Sequence, residues 1–278
     1  MFNLNSAQLI KKFGRIGEAP NEFQFPTFMQ YYPSKQGLMM GLYAARKFTY
    51  TEFQLDSVLF SNDPKPFAKS VTFDFNHQRL FKLDGKRFVG VGLFSHRFVV
   101  SDKEGKILQS FFDYPHQNDL DEFSHRVLAM AYQGNLIFSS DRSKFAFATI
   151  DSPNLDICKI TPQRIEKVKN FHLNPPDFRG QGGSTINVTM TTKNKVGFID
   201  ICADKSHIYV LYSGRNWERH KDKYLQGNTV LVFDWEGNPV KAYQLSNDIS
   251  TFTIDSRGKM LYGFEDIKNP QILTFDLQ

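Results

Sequence analysis

Residues 97–111, RFVVSDKEGKILQSF, lie over residues 229–243, TVLVFDWEGNPVKAY, without a gap. Asp102, Glu104 and Gly105 fall on Asp234, Glu236 and Gly237, and the apolar positions on either side keep step. Each copy reads as one strand, a tight turn built on an acidic residue and a glycine, and a second strand. A supersecondary unit that recurs at a distance marks a repeat architecture, in which each unit buries its apolar faces against its neighbours.

Outward from these copies, the strand-length apolar runs sort into sets separated by Gly, Asp, Asn, Ser and Pro. The first set reads TFMQYY, LMMGLYA, FTYTEFQL and SVLFS over 27–61, and the second RLFKL, RFVGVGL, RFVVSD and KILQSFF over 79–112. A third reads NLIFSS, KFAFATI, LDICKI and RIEKVKNFHL over 135–173, and a fourth VGFIDICAD, HIYVLYS, TVLVFD and PVKAYQL over 196–245. The fifth is short: STFTID, KMLYGF and QILTFDL over 250–277 are three strands. Residues 1–13 read as two strands that would complete it. Four-stranded antiparallel units in series, with the two ends completing one another, describe an all-β propeller, and closing the ring removes exposed sheet edges. A β-sandwich, or a pair of them, is the competing reading. Only LDEFSHRVLAMAY, 120–132, looks helical.

In such a blade the A-to-B and C-to-D turns share one face, and the B-to-C turns and D-to-A crossings the other. The A-to-B and C-to-D turns are short, as in SDRS at 140–143 and DKEG at 102–105. The long irregular segments fall in the other class: crossings at 14–26, 113–126 and 174–185, and the B-to-C loop SGRNWERHKDKYLQGN at 213–228. A scaffold does not require long loops, so this face is the expected binding face. Its candidate ligand-binding residues are Asp177, Arg179, Arg215, Trp217, His220 and Tyr224. Arginine forks and an indole would hold a carboxylate, a sugar or an aromatic group by paired hydrogen bonds and stacking. The plainer alternative is a solvated hairpin whose Trp217 covers a neighbouring blade.

Other chemistry finds little footing. The 278 residues carry 34 Lys and Arg against 29 Asp and Glu, a net charge of +5 that is scattered along the chain, which points to solubility and gives no nucleic-acid footprint. His116, Asp119, Asp121 and His125 are the densest set of metal-ligand types, yet acids at a helix start also suit its dipole, and no metal is expected. GQGG at 180–183 lacks the strand and GK[ST] ending of a phosphate loop. No GxSxG elbow and no catalytic constellation are found, and no cofactor is expected. Cys158 and Cys202, each inside an apolar run, read as buried thiols. No apolar run approaches a membrane span, and 1–14 lacks the features of a secretory signal.

With the blades in place, the chain resembles the TolB-like six-bladed β-propeller family. The segments that carry the resemblance are KKFGRIGEAPNEFQFP (11–26), VLVFDWEGNPVKAYQL (230–245), LYSGRN and the terminal LTFDL. The resemblance implies a six-bladed ring and a protein of the cell envelope or periplasm that acts by binding; it supplies no catalytic residues. Family members usually carry a leader and two more strands ahead of the segment matching 2–13, so five to six blades are expected here. The reading is therefore a single, monomeric propeller domain over 1–278, a non-enzymatic binding or scaffold protein for a protein, peptide or glycan partner. An enzyme of lyase, lactonase or hydrolase type, working in the central funnel, is the alternative.

Overall fold

Strand pairing follows the order of the chain almost without exception. The computed structural model describes residues 8–17, 22–62, 64–67, 70–181, 185–265 and 271–277, and they group into two compact units, Met1–Phe112 and Asp113–Gln278.

The first unit holds two antiparallel sheets. One runs β1 (Pro26–Ser34), β2 (Gly37–Ala44), β3 (Thr49–Gln54), β4 (Val71–Thr72); the other runs β5 (His77–Lys82), β6 (Arg87–Gly92), β7 (Phe98–Asp102), β8 (Ile107–Phe111). Tyr43, Tyr50, Phe73, Leu80 and Phe88 bury the face between them. Two polar clips cross the same boundary. The Gln30 amide donates to the Lys82 carbonyl at 3.0 Å and accepts from the Lys82 N–H at 2.9 Å, and the Lys82 ammonium meets both Glu52 oxygens at 2.5 and 2.7 Å. The expected fourth strand at 57–61 is instead the helix α1 (Leu55–Phe60), whose one buried residue is Val58. The sheet is finished by the two-residue β4 farther on.

The second unit opens with α2 (His125–Ala131), inside the stretch read as helical, and continues with the sheet β9 (Gly134–Phe138), β10 (Lys144–Thr149), β11 (Asn154–Ile160), β12 (Ile165–His172). A hairpin of β13 (Phe178–Gln181) and β14 (Asn187–Met190) follows, where the sequence reads as an irregular crossing. Then come β15 (Phe198–Ala203), β16 (His207–Tyr212), β17 (Gly227–Asp234) and β18 (Pro239–Ile249), with the short helix α3 (Trp217–His220) in the loop before β17. The last sheet is the three-stranded β19 (Thr251–Ile254), β20 (Met260–Phe264), β21 (Ile272–Asp276). Ala146, Leu155 and Ile157 pack on Phe198, Ile208 and Phe233 of the next sheet, which turns Leu211, Val230 and Val232 toward Phe252, Leu261 and Leu277 of the last. Cys158 and Cys202 are both buried.

Five blade-like sheets thus appear among the described residues, four of them four-stranded. Of the segment expected to complete the last sheet, residues 1–7 lie outside the described residues, as do Gly182 and Gly183 of the GQGG run; residues 8–13, expected as a strand, form none of the named strands, and Phe13 packs on Phe53 of the first sheet. Among the described residues no helix is long and apolar enough to cross a membrane.

The aspartate that dominates the repeated motif caps its hairpin. Asp102 Oδ1 accepts from the N–H groups of Glu104 and Lys106, and Asp234 Oδ1 from those of Glu236 and Asn238, at 2.8–3.0 Å. Gly105 and Gly237 sit at φ +82° and +83°, a left-handed conformation that side chains resist. The same cap recurs at Asp84, Asp141, Asp204 and Asp255, all in A-to-B turns. In each of these hairpins a carboxylate satisfies turn N–H groups two to five residues ahead and so closes the turn.

Candidate binding site

The B-to-C and D-to-A ends of the second unit converge on a cavity of about 190 Å³ lined by residues of three segments. The first is the β10–β11 turn. Thr149 Oγ1 donates to the Ser152 carbonyl at 2.5 Å and accepts from the Asn154 N–H at 3.2 Å, while the Gly197 N–H bonds the Ile150 carbonyl at 2.6 Å. These bonds hold Asp151 at the pocket wall. Its carboxyl meets no hydrogen-bond donor or cation among the described residues, and burial pushes it up to about pKa 6 from the ordinary 3.8.

The second segment is the crossing after β14, which contributes Met190, Thr191, Asn194 and Val196. Asn194 is a buried clamp: its Nδ2 donates to the Asp151 carbonyl at 3.0 Å and its Oδ1 accepts from the Asp177 N–H at 2.8 Å. Thr191 spends its hydroxyl on Asp177 Oδ2 at 2.6 Å. Asp177 itself is exposed and braces the wall from outside.

The third is the long β16–β17 loop. Trp217, 43% exposed, meets the Tyr224 ring edge to face at 5.5 Å and 89°, and both line the cavity. Asn216 caps α3 through the Arg219 N–H at 3.1 Å, and the Glu218 N–H bonds the Thr192 carbonyl at 2.8 Å, tying the loop to the crossing.

Of the six residues singled out from sequence, Trp217 and Tyr224 therefore line the cavity and Asp177 supports it. Arg215 faces a separate polar recess, where its fork grips Asp248 at 2.9 and 2.5 Å. His220 bonds back to the Asn216 carbonyl at 3.1 Å, and Arg179 is exposed on β13. Asp151 and Asn194 were not legible: an Asp-Ser-Pro turn is commonplace, and only the folded crossing covers it.

Two further constellations become visible. Asp74 Oδ1, His77 Nδ1 and Nε2, and Ser101 Oγ form a chain at 2.9 and 3.1 Å, the order of a nucleophilic triad. With the carboxylate accepting, the imidazole carries its proton on Nδ1 and accepts from the Ser101 hydroxyl on Nε2. His77 and Ser101 are fully buried and burial lowers the His77 pKa, so a neutral imidazole clips Ser101 to Asp74 and leaves the serine no access for substrate. Near the end of β12, His172 Nε2 meets the buried Asp156 Oδ1 at 2.7 Å, with the His116 ring 6.1 Å away and His116 Nδ1 3.2 Å from the Tyr132 hydroxyl. Burial, together with His172, lowers the His116 pKa. Among the described residues no three His, Cys, Asp or Glu side chains gather closely enough to hold a metal.

Residues 1–257 match the family described as TolB-like 6-blade propeller-like. The chain belongs to this family. Its blade-like sheets are those of a β-propeller, as the repeat implies. No protein of curated function matches the chain in sequence. Among solved structures it is similar to a protein of Bacteroides fragilis NCTC 9343 provisionally assigned as a 6-phosphogluconolactonase, at 15% identity and TM-score 0.51, covering 91% of this chain and 69% of that one. A protein of Bacteroides uniformis ATCC 8492 with the same provisional assignment aligns at 13% identity and TM-score 0.48, with the same coverage. At 15% identity the likeness to the Bacteroides fragilis protein is one of fold.

Proposed function

We propose that this protein is a non-enzymatic binding propeller whose B-to-C and D-to-A face recognises a partner, with the cavity between Asp151, Trp217 and Tyr224 as its anchoring point. The observation that carries this reading is the composition of the cavity. A sheltered carboxyl that meets no partner among the described residues and an aromatic corner stand together on the face that bears the longest loops. In the Ser-His-Asp chain of the first unit both Ser101 and His77 are buried, which favours binding over acyl transfer. The cavity lies below the roughly 300–1,000 Å³ of small-molecule sites, so it suits one protruding group of a larger partner.

Peptide and glycan arrays probed with the wild-type chain and with Trp217→Ala test this. A ligand retained by the wild type and weakened about tenfold or more in the variant supports it, since truncating a central aromatic anchor commonly costs over 1 kcal/mol. Equal retention by both removes this loop from the site.

The Asp156–His172 pair favours a second reading. A histidine oriented by a buried carboxylate is a ready general base, and hydrolysis of a phosphorylated sugar lactone, the activity named for the Bacteroides protein, is the reaction to assay. Turnover by the wild type that His172→Ala abolishes would establish that reading in place of binding.

A further inference from the structure

We propose that the Asp151 cavity receives a single positively charged side chain, the ammonium of a lysine or the guanidinium of an arginine, presented by a peptide segment of the partner. The inference rests on the reading of this face as a binding surface and names what that surface selects.

Three observations converge on it. First, Asp151 is the one carboxyl group lining the cavity, and the amide and hydroxyl on the wall beside it are committed elsewhere. Asn194 uses both ends of its amide on the protein backbone, and Thr191 gives its hydroxyl to Asp177. Asp151 remains as a carboxyl without donor or cation among the described residues. A neutral guest such as a sugar would gain only ordinary hydrogen bonds from these walls, whereas a cation gains a charge-assisted bond to the carboxylate, the stronger of the two. An anion would be repelled.

Second, the remaining walls suit the stem and head of a basic side chain. Met190 and Val196 offer apolar surface for methylenes, and Trp217 and Tyr224 present aromatic groups to a cation, an attraction that strengthens where water is excluded. About 190 Å³ equals roughly six waters at ~30 Å³ each, room for one long side chain and no more.

Third, among the described residues no internal cation competes for the carboxyl. Arg215 is forked onto Asp248, and Lys193 and Lys195, on the crossing beside the cavity, are exposed. Arg219 and His220 are likewise exposed on the β16–β17 loop, with Glu218 between Trp217 and Arg219. The upward displacement of Asp151 comes from burial with no charged neighbour contributing. A bound cation would restore the ionised form and release a proton on binding near pH 6.

Calorimetric titration with blocked pentapeptides, identical in Gly and Ala except for a central Lys, Arg, norleucine or Glu, reads the proposal directly. Lys and Arg peptides are expected to bind, and the norleucine and Glu peptides to bind at least about tenfold more weakly. Asp151→Asn, which keeps shape and removes charge, is expected to lose about tenfold for Lys and Arg while its circular dichroism stays that of the wild type. Lowering the pH from 7.5 to 5.0 should weaken the Lys peptide about tenfold, since a group titrating near 6 is then mostly neutral. Norleucine binding as well as lysine, no detectable binding of either basic peptide, or an unaltered Asp151→Asn overturns the cation assignment. An n-butylammonium ion that binds as tightly as the Lys peptide assigns the cavity to free amines and overturns the peptide assignment. An array partner lost in Trp217→Ala but kept in Asp151→Asn overturns the cation assignment alone and leaves the binding face standing. An array in which no partner depends on Trp217 overturns the face itself.

Discussion

Asp151 sits in the protein at a cost to stability. Its folded pKa, about 6, lies above the 3.8 of the unfolded chain, so between these values the native state holds more protons. Stability from this group is greatest below about pH 4 and is lost as pH rises toward and past 6. Asp151→Asn removes a sheltered charge that nothing in the described protein offsets. It is expected to raise the unfolding free energy by about 1–2 kcal/mol at pH 7.5, less than the full two-unit shift because the cavity mouth admits water, and by little at pH 4. Urea melts at the two pH values check this; an equal effect at both would show that the gain does not come from ionisation. A residue that weakens its own fold while facing a cavity fits a site held for a ligand better than one held for packing. Nothing in the DSPN turn announces this, because the burial is supplied by residues some forty positions later. Trp217 and Tyr224 were legible for the opposite reason: they stand in a loop too long to be a mere connection.

At the scale of the hairpin, local chemistry decided nearly everything. Sets two to five are found as read, because period-two alternation and an Asp-initiated turn both speak within a dozen residues. The misreadings fall where that local signal fails. SVLFS is a five-residue apolar run whose strand and helix patterns are alike, and it folds as α1 with Val58 alone buried. FRGQ and NVTM are four residues each, and the single alternating pair of Val188 and Met190 beside a glycine-rich run is too short a signal to mark the β13–β14 hairpin. The turns also make the sharpest prediction at this scale. Gly237→Ala would force a side chain into φ +83° and bring its Cβ to 2.6 Å from the Lys169 side chain. A loss of about 1–2 kcal/mol in chemical denaturation is expected. The same change at Gly85, whose Cβ would meet nothing within 4 Å and whose φ is ordinary, should be nearly neutral. Comparable losses at both would remove the turn conformation as the cause.

Across the whole molecule, carboxylates pull stability in two directions with pH. Hydrogen bonds within the turns hold Asp141 down to about 2 and lower the pKa of Asp84, Asp204, Asp234 and Asp255. Depressed carboxylates contribute stability that is fully present above their unfolded pKa near 3.8 and is lost as pH falls through the folded values. Asp200, half-buried at the β15–β19 boundary where it accepts from the Phe252 N–H at 3.0 Å, is raised by loss of solvent and acts with Asp151 in the opposite sense. The midpoint of thermal unfolding should therefore change little between about pH 6 and 4 and fall steeply from about pH 4 to 2. Circular dichroism melts across that range test this; a steep fall already at about pH 5 would place the acid sensitivity elsewhere. The five hairpins concerned belong to four different sheets, so acid should loosen the blades together.

The edge-to-face contact between Trp217 and Tyr224 gives the protein an optical reporter of its own. The chain has two tryptophans, and Trp235 is buried in the packing between sheets, so its emission stays blue and steady while the fold is intact. Trp217 shares its corner with solvent, and whatever enters beside it displaces water from the indole or strips its excitation. Red-edge emission can then follow occupancy of the cavity in real time, with no label and whatever the chemical nature of the guest.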